Sequence, residues 1–147
     1  MTTNLEITVD SIREMLAGTG PTFPEVLQIE VLAIDDERSV GAIAVEERHL
    51  HPGRLVHGGV WVGLADTVAA WQTFRHIPSG ANFTTIELKL NAFGAGRLGD
   101  RLTATATHLH EGRSTHVIEV RVERAAGGGE PKLAANLIVT QFVIPAA

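Results

Sequence analysis

Residues 50–75 read LHPGRLVHGGVWVGLADTVAAWQTFR. The stretch starts as a loop punctuated by Pro52 and Gly53, and after His57, Gly58 and Gly59 it takes on helical character. From Gly58 to Arg75 the residues Val60, Trp61, Val62, Leu64, Ala65, Val68, Ala69, Ala70 and Trp71 leave no broad polar stripe. A helix that is apolar nearly all round is covered on most sides. At about 1.5 Å per residue it is about 27 Å long, the span of a small domain. One carboxylate, Asp66, interrupts it. Asp is a poor helix former and an unpaired carboxylate is costly to bury, so the position requires a reason. Any chemistry this chain performs is expected here.

Upstream, Thr8 or Asp10 caps a short helix through Ile12, Met15 and Leu16, which Gly18 ends. Thr19 to Pro24 reads as an irregular connector, because Pro21 and Pro24 oppose regular structure. Gln28–Ile34 and Ser39–Val45 read as strands joined by a polar turn at Asp35, Asp36 and Glu37. Both faces of the second are apolar, which places it away from an open edge. Downstream, Pro78, Ser79 and Gly80 turn the chain into strand patterns at Asn82–Phe93, Leu102–Leu109, Ser114–Val122 and Lys132–Val143. In the first of these, Phe83, Thr85, Glu87, Lys89 and Asn91 alternate with Ile86, Leu88 and Leu90. Turns at Gly99-Asp100, Glu111-Gly112 and Gly127 to Gly129 make the four strands an antiparallel meander of three hairpins. A long apolar helix needs a sheet curled around it. The expected fold is α+β, a curved antiparallel sheet wrapped around one long central helix. One domain spans 1–147, with an N-terminal helix and connector over 1–25 and the core over 26–144.

The chain of 147 residues is 44% hydrophobic and 20% charged, too apolar for disorder and long enough to bury a core. Its formal charge is −5 with Lys and Arg scattered, which argues against a nucleic-acid partner. Without cysteine, neither a disulfide framework nor a thiolate nucleophile is available. The start, MTTNLEITVDSIREM, has no basic segment followed by an apolar one, and no apolar run is long enough for a membrane span. The expectation is a cytoplasmic protein with no membrane partner.

HPGRLVHGGVWVGLADTVAA (51–70), TTIELKLNAF (84–93), GDRLTATATHLHEGRSTHVIEVRV (99–122) and KLAANLIVTQFVI (132–144) together resemble the hotdog-fold thioesterases. The most similar branch includes phenylacetic-acid-pathway and 4-hydroxybenzoyl-CoA thioesterases, and the similarity runs from about Val26 to Ile144. The resemblance implies hydrolysis of an acyl-CoA thioester, with a short-chain or aromatic acyl group, by a homodimer or a tetramer of dimers. CoA is then part of the substrate and no separate cofactor is implied. The family's oxyanion donor, a backbone N–H, falls on Gly58 and its catalytic carboxylate on Asp66. A supporting amide side chain falls on His51, where the family usually has Asn or Gln. A hydroxyl on the next strand falls on Thr85. Substrate contacts are expected at His57, Gly59 and Thr84, with Arg113 and Ser114 near the nucleotide and Arg54 and Arg97 as looser candidates. The family often follows that strand with Phe-x-x-Pro, whereas Phe93-Gly94-Ala95-Gly96 has no proline here.

The residues agree with that chemistry. A helix start exposes unpaired N–H groups at the positive end of the dipole, and a glycine there lets a carbonyl approach the backbone. Such a donor suits a developing oxyanion. Asp66 can attack the thioester to give a mixed anhydride, or act as general base on water. Gly58 and Asp66 are eight residues apart, about 12 Å along one helix, and cannot serve one carbon within one chain. If both act, they meet across a two-fold axis. Thr85 or Thr84 can orient water or the carboxylate. His49, His51 and His57 form a cluster, and His108 and His110 repeat the His-x-His spacing, but no further ligands accompany them and no metal is expected. His57 is read as fixing the loop, and Trp61 and Trp71 as core. Two other readings are a hotdog enoyl-CoA hydratase or dehydratase using His57 with Asp66, and a non-catalytic acyl-CoA binding module.

Overall fold

The computed structural model describes residues 6–147, so the first five residues of the N-terminal segment read above lie outside the described residues. Its elements in chain order are α1 (Val9–Gly18), α2 (Phe23–Val26), β1 (Glu30–Ile34), β2 (Ser39–Ala44), a 3-10 turn (Glu47–His49), α3 (Gly58–His76), β3 (Asn82–Ala92), β4 (Arg101–Glu111), β5 (Thr115–Ala125) and β6 (Lys132–Ile144). Thr8 caps α1 through a reciprocal bond with Ser11, which settles the choice between Thr8 and Asp10. The connector differs from expectation. Pro24 lies in the first turn of α2, where a proline N–H would have no partner, and Glu25 reaches back to the Thr22 N–H at 2.8 Å. β1 starts at Glu30, later than expected, because Gln28 takes a left-handed φ of 54°.

Six strands form one sheet in the order β1-β2-β4-β5-β6-β3, with every neighbour antiparallel. β2 is interior, as its two apolar faces require. The four-strand meander is corrected: β4, β5 and β6 are joined by hairpins, but β3 pairs with β6 and not with β4. Gly99, at φ 84°, turns the chain into β4 without returning it beside β3. Residues 93–100 instead carry the chain across one end of the sheet, held by Gly94 N–H on Ala134 O at 2.8 Å and Val56 N–H on Gly96 O at 2.9 Å. A β-carbon at Gly94 would lie 2.7 Å from that of Ala134, and one at Gly96 would lie 2.5 Å from Val56 Cγ2. The glycines let the crossing strap lie close against β6 at Ala134 and against Val56 in the loop before α3.

α3 lies in the concave face of the sheet. Leu64, Ala65, Val68 and Ala69 pack with Ile43, Leu102, Ala104, Ile118, Val120, Leu137 and Val139 in one core, all fully buried. Burying each of the larger of these side chains contributes about 1.5–3 kcal/mol. α1 and α2 close over the opposite side, with Ile12 and Leu27 joining the same core. The nearly all-round apolar character of α3 follows from this double cover.

Candidate active site

Asp66 projects from the third turn of α3 and is only partly exposed. Burial pushes its carboxyl above the ordinary carboxylate range, and a hydrogen bond from Thr85 opposes that rise. Thr85 Oγ1 donates to Asp66 Oδ1 at 2.9 Å. A β-bulge brings the hydroxyl there. Thr85 faces Gln141 of β6, the next pair is Glu87 with Thr140, and Ile86 has no partner. The bulge changes the phase of the strand, so Phe83 and Thr85 share the inner face with Leu88 and Leu90, and the unbroken alternation read from the sequence is corrected. Bulges often re-aim side chains beside active sites. Thr84 faces the other way, opposite Phe142 and exposed, so it does not join Asp66.

A buried polar line that sequence reading missed stands behind the pair. Gln141 Nε2 donates to Thr85 Oγ1 at 3.4 Å, and the Gln141 carbonyl accepts from Thr73 of α3. Gln141 and Thr73 are fully buried. With Thr73 donating to its oxygen, the Gln141 amide must present its NH2 group to Thr85. The Thr85 hydroxyl then accepts from Gln141 and gives its own proton to Asp66.

At the start of α3, His57 caps the helix by accepting the Gly59 N–H on Nδ1 at 2.9 Å. That bond consumes the Gly59 donor. The Gly58 N–H has no acceptor among the described residues, and a β-carbon built on Gly58 meets nothing within 4 Å. Neither a left-handed φ nor packing within this chain demands glycine there. His51 sits in the preceding turn and accepts the Gly53 N–H on Nδ1 at 2.9 Å. In neutral imidazole the proton is then on Nε2, a single N–H donor in place of an amide. The rings of His49, His51 and His57 engage separate backbone groups, His49 bridging Glu46 N–H and Leu27 O. Arg54 is paired with Glu47, whereas Arg97, Arg113 and Ser114 are exposed, the last two in the β4–β5 turn.

Asp66 also lines a cavity of about 350 Å³ walled by Met15, Leu16, Thr22, Pro24, Thr67, Ala70, Trp71 and Phe74. Apart from the carboxylate and the threonines, this lining is apolar, and α1 and α2 supply one side of it. Trp71, read as core, is both buried and part of this wall. A larger hollow of about 620 Å³ around Glu6, Asp36 and Arg75 lies towards the end of the helix and holds no part of the Asp66–Thr85 pair.

A thioesterase superfamily model matches residues 53–130, more than half of the chain and including α3, the Asp66–Thr85 pair and the strap. The chain belongs to the thioesterase superfamily. A 1,4-dihydroxy-2-naphthoyl-CoA hydrolase of Listeria monocytogenes is 30% identical over 67% of this chain and 79% of its own length. A putative esterase of Pseudomonas aeruginosa is 29% identical over 92% of this chain and 91% of its own. The solved structure of the PaaI protein of Escherichia coli, from a phenylacetic acid degradation operon, superposes with a TM-score of 0.79 at 22% identity, covering 94% of both chains. The hotdog fold expected from the sequence is therefore the fold observed, and the chain is an enzyme of a thioester-hydrolysing superfamily. No helix among the described residues of this thioesterase-superfamily chain is long and apolar enough to cross a membrane.

Proposed function

We propose that this enzyme hydrolyses acyl-CoA thioesters at sites shared by two subunits, Gly58 serving from one and Asp66 from the other. The observation that carries this reading is a pair of half-sites on one helix. An open, unpartnered N–H and a partly buried carboxylate lie eight residues apart, about 12 Å, too far to meet at one carbonyl carbon. The free edge of β3 supports the pairing. Ile86 and Leu88 are 58% and 37% exposed there, and an uncovered strand edge seeks a partner. Two β3 edges joined antiparallel would lay two α3 helices side by side in opposite directions.

In the reaction the Gly58 N–H and the helix dipole draw charge onto the thioester oxygen, with His51 Nε2–H as a second donor. Asp66, held by Thr85, attacks the carbonyl carbon and expels CoA as thiolate, leaving a mixed anhydride for water to open; alternatively it takes a proton from an attacking water. The apolar cavity beside Asp66 accommodates the acyl group. Its size fits a short or aromatic acyl better than a long chain, and the Listeria relative is named for a two-ring aroyl-CoA. Arg113 and Ser114 remain the candidates for the nucleotide phosphates.

The test is subunit mixing, with CoA release measured across aromatic, short and long acyl-CoAs. Gly58→Pro and Asp66→Asn chains, each nearly inactive alone, are unfolded and refolded together in equal amounts. Half the dimers are then mixed, and each mixed dimer carries one site with both native groups, so about a quarter of wild-type activity returns. No recovery despite proven exchange would refute the shared site. Hydration of an enoyl-CoA without CoA release would replace hydrolysis with the hydratase reading, and binding without turnover would make the chain a binding module.

The buried line behind Thr85 gives a second expected result. Gln141→Leu leaves Thr85 without its donor and Thr73 unpaired, and the loosened hydroxyl no longer supports ionised Asp66. Turnover falls about tenfold. The loss of activity on acidification begins at a higher pH than in wild type, because the Thr85 bond is what lowers the Asp66 pKa. A pH–rate profile of the folded variant with an unmoved acid limb would count against this role.

A further inference from the structure

Hydrolysis at Asp66 uses none of the side chains gathered where the end of α3 meets the β4–β5 hairpin. His76 closes α3, His108 and Glu111 belong to β4, and His116 lies opposite on β5. The His76 and His108 rings are 4.5 Å apart at their centroids, and those of His108 and His116 are 4.9 Å apart. His108 was noted in the sequence only for its spacing to His110, but a bulge at Leu109 separates those two and the fold brings His76 to His108 instead.

We propose that His76, His108 and Glu111 form a binding site for a divalent transition-metal ion, zinc being the natural occupant, that fastens the end of α3 to the β4–β5 hairpin. One ligand atom from each residue lies within 4.8 Å of the others. His76 Nδ1 and Glu111 Oε2 are 3.1 Å apart. Tetrahedral zinc with bonds of about 2.0–2.1 Å places its ligands about 3.3–3.4 Å from one another, so one edge of the site is already closed. Glu111 has a half-exposed side chain, free to move towards His108 and close the others.

The surroundings orient both rings. His76 Nε2 lies 3.0 Å from Asp36 O and 3.1 Å from the Gln72 amide nitrogen, and in the tautomer that gives its proton to Asp36 O the Nδ1 lone pair faces Glu111. His108 Nε2 lies 2.9 Å from His116 Nδ1, so with that proton given to His116 the lone pair of His108 is on Nδ1. A second nitrogen held by a protein acceptor is how metal-bound histidines are fixed. A neutral imidazole held in this way has one lone pair to give. Two imidazoles and one carboxylate favour zinc, cobalt or nickel over magnesium or calcium, and leave a coordination position for water. Without metal, the same His76 and Glu111 atoms form an ion pair, which is the competing reading.

Titration of chelator-treated full-length protein with zinc and cobalt decides between them. The site predicts one zinc per chain, a rise in thermal midpoint on addition, and intense visible bands from cobalt in a low-coordinate site. His76→Gln, His108→Gln and Glu111→Gln each weaken zinc about tenfold or more, while His110→Gln leaves it unchanged. On wild-type protein, zinc-edge X-ray absorption shows two imidazole ligands, a readout independent of whether the variants fold. Absence of stoichiometric binding, binding undiminished in folded His108→Gln protein, or a zinc shell without two imidazoles overturns the proposal. CoA release is measured in parallel, so a failed zinc site and a failed hydrolase reading are separate outcomes.

Discussion

Asp66→Asn is expected to lower CoA release by about a thousandfold while raising the thermal midpoint by a few degrees. The two effects have one cause. Burial holds the Asp66 carboxyl above the ordinary range, so ionising it costs more in the folded chain than in the unfolded one. Its favourable contribution to stability is fully present below the unfolded carboxylate pKa of about 4 and is lost as pH rises through the raised folded value. At neutral pH the wild type carries the whole penalty. The amide carries none, and its oxygen can still accept the Thr85 hydroxyl. Thermal melts at a series of pH values check this. The variant should be the more stable at neutral pH, and the gap should close in acid. Activity of the wild type runs the other way, falling as pH drops through the same raised value, because only the ionised group attacks or takes a proton. A variant that keeps wild-type turnover would remove Asp66 from the mechanism altogether.

Gly58→Pro is expected to cost about a hundredfold to a thousandfold in turnover with the fold intact. The first position of a helix is where proline is best tolerated, since the lost N–H has no intrahelical partner. The residue before a proline must be extended, and His57 already is, at φ −63° and ψ 140°. The substitution therefore deletes one donor and little else. Gly58→Ala is the control. It keeps the N–H, and beyond its chain neighbours and the adjoining helix backbone its added methyl meets nothing within 4 Å. Comparing kcat/KM and melting temperature across the three proteins separates donor loss from structural damage. Equal activity in the proline variant would dismiss the helix start as oxyanion donor.

The part of this molecule written in local pattern was legible. The extent of α3, its oddly placed carboxylate, the strands and the interior position of β2 all follow from spacing and side-chain type. Sheet order was not, because alternation marks a strand without naming its neighbour, and Gly99-Asp100 reads as a hairpin turn although the chain crosses the sheet there. The bulge at Ile86 was equally invisible. It rearranges one residue, yet it decides that Thr85 and not Thr84 faces Asp66. Gln141 did leave a trace. It occupies the inward phase of β6 with Leu137, Val139 and Val143, a polar side chain where the pattern calls for an apolar one. The histidine cluster left none, since His76 and His108 are far apart in the chain and meet only once the helix is seated.

The strap from β3 to β4 also sets an order of assembly. β3 leaves the ribosome before β4, β5 and β6, yet its only strand partner among the described residues is β6, and the outermost pair, Asn82 with Ile144, closes a loop of more than sixty residues. Contacts that distant in sequence form late and slowly. Until β4, β5 and β6 have emerged, α3 lacks the strands that bury most of its apolar surface, and the nascent chain is exposed to aggregation. Thr85 reaches Asp66 only when β3 docks, so the proposed catalytic pair is among the last contacts to be made, and a partly folded chain is expected to be inactive.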